Sequence, residues 1–403
     1  MMLPLPMTWA DIGLSLLSLP FLAAACYLAA LALLAKRGSP WPPARELRFD
    51  VVVPAHDEES GVAGTVASLL AMDYPRDLFR VVVVADNCSD RTAERAQAAG
   101  GRVLERRDAE RRGKGHALAF AFEHLAAEGF AEAFVVVDAD SLVSSNLLGA
   151  MAARIAAGAE ALQARHGVRN RDASWRTRLL HLAFTLLHDV RASARERLRL
   201  SCGLRGNGMA FTAALLRRVP HAAVSVVEDL EYATLLGLAG VRVHDVAEAA
   251  VRSEMPVSRE ASRSQRSRWE GGRLALARSV APLLLGRALR ERSALLLDLG
   301  LDLLVPPLGT LAMAVALGLG LGLIGLASGL ATAWAMTPWA VATLALGIYV
   351  FVGWRAAGFG WRELADLRFV PGFLLWKLVV GVRAGWRRPE AWVRTPREPP
   401  RLP

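Results

Sequence analysis

Phe134-Val135-Val136-Val137-Asp138-Ala139-Asp140-Ser141 is the stretch that decides the fold. Four apolar residues, three of them β-branched, run unbroken into two carboxylates set two positions apart. So short an apolar run with a polar boundary predicts a strand buried on both faces. Phe49 to Val53 and Val81 to Ala85 read the same way, each followed by polar residues and a helical pattern. Continuous apolar strands separated by helices predict an α/β domain from residue 48 to about 250, with a mostly parallel, doubly wound sheet. Ligands bind beyond the carboxyl ends of strands in such sheets, and the charged residues of all three segments fall there.

Outward from this domain the composition changes. Hydrophobic residues make up 53% of the 403 and charged residues 21%, and the apolar excess lies at the two ends. Residues 12 to 35 carry no charge and are closed by Lys36 and Arg37, which suits a spanning helix. A cleaved signal peptide would carry positive charge ahead of its apolar core, and residues 1 to 11 have no Lys or Arg. Residues 274 to 304 read as amphipathic helix with several arginines. Residues 307 to 328 and 332 to 353 are apolar, their connection has no Lys or Arg, and Arg355 and Arg362 follow. By the positive-inside rule residues 36 to 306 face the cytosol. Residues 370 to 382, short and interrupted by Lys377, suit a helix lying in the interface, and the tail from Arg387 is rich in Pro and Arg.

The net charge is +10. Arg287, Arg290 and Arg292, like Arg383, Arg387 and Arg388, sit beside apolar segments, which points to an anionic lipid surface. No nucleic-acid motif with interleaved aromatics is present. Cys26, Cys88 and Cys202 have no paired spacing, which argues against a disulfide framework or a zinc site. Asn87-Cys88-Ser89 matches a glycosylation sequon by chance, directly after a buried strand.

Asp138 and Asp140, two apart on extended chain, point to one side and offer hard oxygens to Mg²⁺ or Mn²⁺; a solvated turn is the other reading. Asp86 ends the second strand ahead of a segment suited to capping a helix from Thr92. Glu58 follows the first strand, where a carboxylate can accept hydrogen bonds from a base or ribose, or begin an acidic first helical turn. Arg112-Gly113-Lys114-Gly115 precedes a helix expected near His116, a place that favours anions, or is a plain glycine turn. Glu228-Asp229 offers a general base or a helix cap. Gln265, Arg268 and Trp269 share a helix face. Arg suits diphosphate oxygens and Trp a sugar ring, and an interfacial helix is the alternative.

In order, PAHDE, ADNCSDRT, RGKGHA, VVDADS, RGNGMAF, VEDLEY and QRSRW resemble the family 2 glycosyltransferases. The likeness is to the membrane-embedded branch with cellulose synthase, hyaluronan synthase and ceramide glucosyltransferase, over roughly residues 50 to 275. The resemblance implies a GT-A fold with N-terminal and C-terminal transmembrane helices. It implies that Asp86 and Glu58 hold the uridine, and that Lys114 and Asp138 serve the donor. Asp140 would bind Mg²⁺ or Mn²⁺, Asn207 with Gly208 would lie in the acceptor-side loop, and Asp229 would be the catalytic base. Gln265, Arg268 and Trp269 would bind the diphosphate and line the acceptor tunnel. Asp57 departs from the pattern, since many relatives have Asn there, and three spans are fewer than processive synthases usually carry.

The organisation expected is an anchor over 1–47, a cytosolic catalytic domain over 48–280, and interfacial helices, hairpin and basic tail over 281–403. The activity expected is inverting transfer of a hexose or N-acetylhexosamine from a UDP-sugar to a lipid-linked or saccharide acceptor, forming a β-glycosidic bond. It is placed at the cytosolic face of the inner (plasma) membrane, with export partners if the product leaves the cell. The alternative within the class is a processive polysaccharide synthase. A non-catalytic scaffold would have lost Asp140, Asp229 or Arg268, and all three are present.

Overall fold

The computed structural model describes residues 7–36, 38, 40–257, 259–370 and 372, without the side chains of 259–268, 362 and 364. Its centre is an eight-stranded sheet in the order β3-β2-β1-β4-β7-β6-β8-β5. The strands are β1 (Phe49–Ala55), β2 (Phe79–Asp86), β3 (Arg102–Arg106), β4 (Ala133–Val136), β5 (Ser141–Val143), β6 (Ala161–Val168), β7 (Met209–Thr212) and β8 (Val243–Ser253). The three apolar runs pair in parallel at the centre, Val51 opposite both Val81 and Val135. β7 enters antiparallel between β4 and β6, and β6 pairs with β8 in parallel. Progress from β1 through β2 to β3 runs one way while β4 lies on the other side. The switch point, where a crevice opens at the carboxyl ends, therefore falls between β1 and β4.

Both sheet faces are buried, as the unbroken valine runs require. Val51, Val53, Val81, Val83 and Val135 pack on one side with the helices Val62–Leu70 and Leu147–Ala156. Val52, Val82, Val84, Phe134 and Val136 pack on the other with Lys114–Glu128 and Glu228–Leu238. In Lys114–Glu128 the buried positions Leu118, Ala121, Phe122 and Leu125 recur at helical spacing. The helix ends at Gly129, whose left-handed φ of 66° closes the last turn.

Three helices are long and apolar enough to cross a membrane: Trp9–Leu34, Leu308–Ala327 and Ala333–Ala356. They pack together through Ala25, Leu28, Val315, Ala342 and Tyr349, on a floor made by Leu182, Leu186 and Val190 of the α/β domain. Asp11, at the start of the first span, accepts from the backbone N–H and hydroxyl of Thr332 in the hairpin connection. Those two points therefore share one side, and the sheet lies at the other.

The amphipathic segment expected over 274 to 304 is two helices, Arg259–Glu291 and Ala294–Leu304. Arg292 turns the chain with a φ of 52°, and Ser293 caps the second helix. The pair closes over Ala281, Leu284, Leu296 and Leu303. The interfacial segment expected at 370–382 and the basic tail lie outside the described residues, apart from 370 and 372.

Candidate functional site

Asp138 and Asp140 leave β4 at the switch point. Ala139 between them is buried in the core, which turns both carboxylates to the crevice side. Fully buried Asn207 sets this turn: its Oδ1 accepts from the Asp138 N–H, and its Nδ2 donates to Ser141 Oγ and Ser253 Oγ. Gln163 on β6 fixes the same loop, donating to the Asn207 carbonyl and accepting from the Arg205 N–H. Asn207, expected in an acceptor-side loop, thus braces its own loop through contacts within the protein. Ser141 Oγ donates to Asp140.

The helix expected near His116 begins two residues earlier. Gly113 takes a φ of 118°, which L side chains rarely adopt, and starts the helix at Lys114. Lys114 Nζ then reaches Asp138 Oδ1 at 2.5 Å, donates to the Gly206 carbonyl, and lies 3.7 Å from Glu228 Oε1. Burial opposes its charge, but Asp138 and Glu228 outweigh this and raise its pKa.

Glu228 and Asp229 form the first turn of their helix; Val227 holds the cap position without a side-chain bond. Asp229 is thus not the cap, and its Oδ1 accepts from the Leu230 N–H at 2.8 Å. The adjacent carboxylates do not diverge electrostatically, since both act on Lys114. Burial raises both pKa values, and the neighbouring Asp229 pushes Glu228 further up. Gly206 (φ 75°) passes directly over the pair: a Cβ there would sit 3.4 Å from Asp229 Oδ2 and 3.5 Å from Lys114 Nζ.

At the other end of the crevice Asp86 is buried and bound to Arg106 at 2.6 Å. Arg106 stands opposite Asp86 in the β2–β3 register, a pairing invisible before the strands are aligned. His56 Nδ1 lies 2.7 Å from the Asp86 carbonyl, and the Glu58 N–H donates to Thr92 Oγ1. Asp57 and Asn87 hold φ of 53° and 52°, a left-handed pair in the two loops that frame this end.

Gln265 and Arg268 have side chains outside the described residues. Trp269 is 41% exposed, with its ring 6.3 Å from Phe184, which contacts His166 and His188. His166, on β6, lies 3.0 Å from Ser253 Oγ. Burial pulls its pKa down to about 4 against the pull of Asp138 and Asp140, so the ring is neutral at pH 7. Nothing in the local sequence around His166 marked it.

Two groups of ligand atoms merit comparison for a divalent cation. Asp57, Cys88 and Asp90 bring theirs within 4.8 Å of one another. However, Asp57 accepts from the Ser89 and Asp90 N–H groups, Asp90 from Thr92, and burial raises the Cys88 pKa. That group braces the loops. Asp138 and Asp140 supply hard carboxylate oxygens on one side of a strand end, the donor chemistry that Mg²⁺ and Mn²⁺ take.

Residues 45–272 match the model of a family described as glycosyltransferase like family 2. A segment of 47 residues is 38% identical to the probable glycosyltransferase YdaM of Bacillus subtilis (strain 168), covering 12% of this chain and only 11% of that protein. The mannosyltransferase PcManGT from Pyrobaculum calidifontis, solved with GDP-Man and Mn²⁺, superposes with a TM-score of 0.53 at 21% identity. That likeness covers 85% of this chain and 98% of PcManGT. Residues 1–349 of S. aureus TarS, in complex with UDP-GlcNAc, give a TM-score of 0.43 at 17% identity over 78% of this chain and 93% of that one.

Proposed function

This chain belongs to glycosyltransferase family 2, and from that premise we propose that it is an inverting enzyme using a UDP-sugar. It transfers a hexose or N-acetylhexosamine to a lipid-linked or saccharide acceptor at the cytosolic face of the inner (plasma) membrane. The observation that carries this reading is the reach of Lys114: one ammonium binds Asp138 and lies beside Glu228, with Asp229 in the same field. The donor-side and acceptor-side carboxylates thus meet at a single point of the crevice.

Asp86, braced by Arg106, and Glu58 receive the uridine. Lys114 and Asp138 orient the sugar diphosphate, and Gln265 and Arg268 bind its oxygens. Asp229 takes the proton of the acceptor hydroxyl as that oxygen attacks the anomeric carbon. The bond from that carbon to the phosphate oxygen breaks, UDP departs, and an α-linked donor gives a β-linked product. Trp269 presents a flat wall to the acceptor sugar. Mg²⁺ or Mn²⁺ at Asp140, with Asp138 beside it, would supply positive charge to the leaving diphosphate. Positioning and preorganised charge then account for most of the rate.

The test is release of UDP from a panel of UDP-sugars by the detergent-purified chain, with GDP-mannose included because PcManGT was solved with it. NMR of the product reads its anomeric configuration. Turnover of GDP-mannose alone would overturn the uridine assignment, and an α-linked product would overturn inversion.

A further inference from the structure

Where the catalytic domain meets the spans lies a second charged cluster that the transfer chemistry above does not use. Arg195 is fully buried and donates to Asp298 at 2.9 Å, Asp302 at 2.6 Å and the Tyr27 hydroxyl at 2.6 Å. Tyr27 donates in turn to Asp298. Arg191 pairs with Asp302 and donates to the Tyr349 hydroxyl. It is only 7% exposed, yet its Nε has no partner. Arg273 donates to the Asp302 carbonyl and lies 3.7 Å from the Asp302 carboxylate.

Arg205 completes the group, within electrostatic range of Arg191, Arg195 and Arg273. Its guanidinium donates only to the carbonyls of Leu204 and Cys202. Among the described residues it has no carboxylate at ion-pair distance, and the acid that acts on it electrostatically is Asp229. Three guanidiniums, those of Arg191, Arg195 and Arg273, therefore share the carboxylates of Asp298 and Asp302, and Arg205 stands beside them with neither. Burial together with the neighbouring arginines pushes Arg205 down to about 10 and Arg273 to about 9. A buried cation left partly unpartnered, as Arg191 is, is costly, and an anionic ligand at these arginines lowers that cost.

The position says where the anion comes from. Tyr27 and Tyr349 each lie seven residues before the C-terminal ends of their spans, Leu34 and Ala356, about 10 Å along each helix. Arg197 donates to the Leu34 carbonyl, so the helix carrying Arg191 and Arg195 sits at the inner end of the first span. The cluster therefore extends from that end, at the level of lipid headgroups, to about 10 Å inside the span. On its other side the cluster adjoins the catalytic crevice, because Arg205 directly precedes Gly206, the residue lying over Asp229 and Lys114.

We propose that Arg191, Arg205 and Arg273 bind the phosphate of a lipid-anchored acceptor, a sugar carried on a lipid phosphate or diphosphate, so that its tail stays in the membrane while its hydroxyl reaches Asp229. This inference rests on the transferase reading above and narrows its acceptor. Arg195, already held by Asp298 and Asp302, is the structural post of the site. Arg rather than Lys suits the task, since a guanidinium holds phosphate oxygens by two parallel bonds.

The test uses the full chain in maltoside micelles, which contain no phosphate. Binding of a long-chain alkyl monophosphate is compared with the matched alkyl alcohol and with inorganic phosphate. The alkyl phosphate is expected to bind roughly tenfold or more tightly than either, and Arg205→Gln to lose about that factor. Arg205→Lys should lose less. If Arg205→Gln does not fold, Arg273→Gln gives the same comparison. Equal binding of the alcohol removes the anion site, equal binding of inorganic phosphate removes the lipid, and unchanged binding by the folded glutamine variants removes the arginines. UDP-sugar binding to the unsubstituted chain is measured in parallel. If UDP-sugar does not bind, the transferase reading fails while the anion result stands. If alkyl phosphate displaces UDP-sugar instead of binding beside it, the cluster belongs to the donor and this inference fails.

Discussion

Lys114 Nζ stands 2.5 Å from Asp138 Oδ1 while the same ammonium lies 3.7 Å from Glu228 Oε1. Helix start, strand end and acidic helix turn thus share one cation. Without it Asp138 and buried Glu228, with Asp229 beside them, would lose the cation they share.

Asp229→Asn should bind UDP-sugar normally and turn over on the order of 10²–10⁴-fold more slowly, the usual contribution of a general base. Asn keeps an oxygen for the Leu230 N–H, so the helix start is preserved. Single-turnover transfer with donor binding measured separately decides it, and near-normal transfer returns Asp229 to a structural role.

Chelation by EDTA should abolish transfer, with recovery on adding Mg²⁺ or Mn²⁺. Asp140→Asn should resemble the chelated enzyme and retain its circular dichroism. Full activity after exhaustive chelation would remove the metal from the reading.

The pH profile follows from Glu228 and Asp229, whose pKa values are raised by burial. The base works ionised, so activity should rise with pH along a limb lying above the ordinary carboxylate range. Glu228→Gln removes a neighbouring negative charge and should move that limb to lower pH. A carboxyl raised in the folded state holds more protons folded than unfolded between its ordinary and raised values. Folding stability should therefore decline as pH climbs through that window. An unmoved limb in Glu228→Gln would show that the two acids titrate independently.

Arg106→Met leaves Asp86 buried without its cation. The expected loss is about 3–5 kcal/mol, read as a lower chemical-denaturation midpoint, together with weaker UDP-sugar binding. Adding Asp86→Leu should recover stability and not donor binding. Unaltered donor affinity in the single variant would detach Asp86 from the nucleotide.

Reporter fusions check the membrane arrangement. A reporter after residue 40 should be cytosolic and one near residue 330 exported; the Asp11–Thr332 contact sets residue 330 at the opposite end of the bundle from residue 40, and the positive residues set the orientation. Reversal of either would place the crevice on the side that lacks nucleotide sugars.

By itself the sequence determined the elements and the residue types at the strand ends. Unbroken valine runs suit doubly covered strands, and about 20 uncharged apolar residues suit a helix long enough to cross a membrane, so β1, β2, β4 and the three long apolar helices were legible. So were Asp86, Asp138 and Asp229, because each follows a strand or opens a helix. Pairing was decided only in three dimensions. Arg106 meets Asp86 through strand register, Asn207 reaches Asp138 across 69 residues, and His166 nears the Asp138–Asp140 turn through a strand order that local periodicity does not encode. The arginine cluster is the extreme case. Tyr27 and Asp298 lie 271 positions apart and bond directly, because burying a charge forces distant partners together once helices and spans have closed on one another.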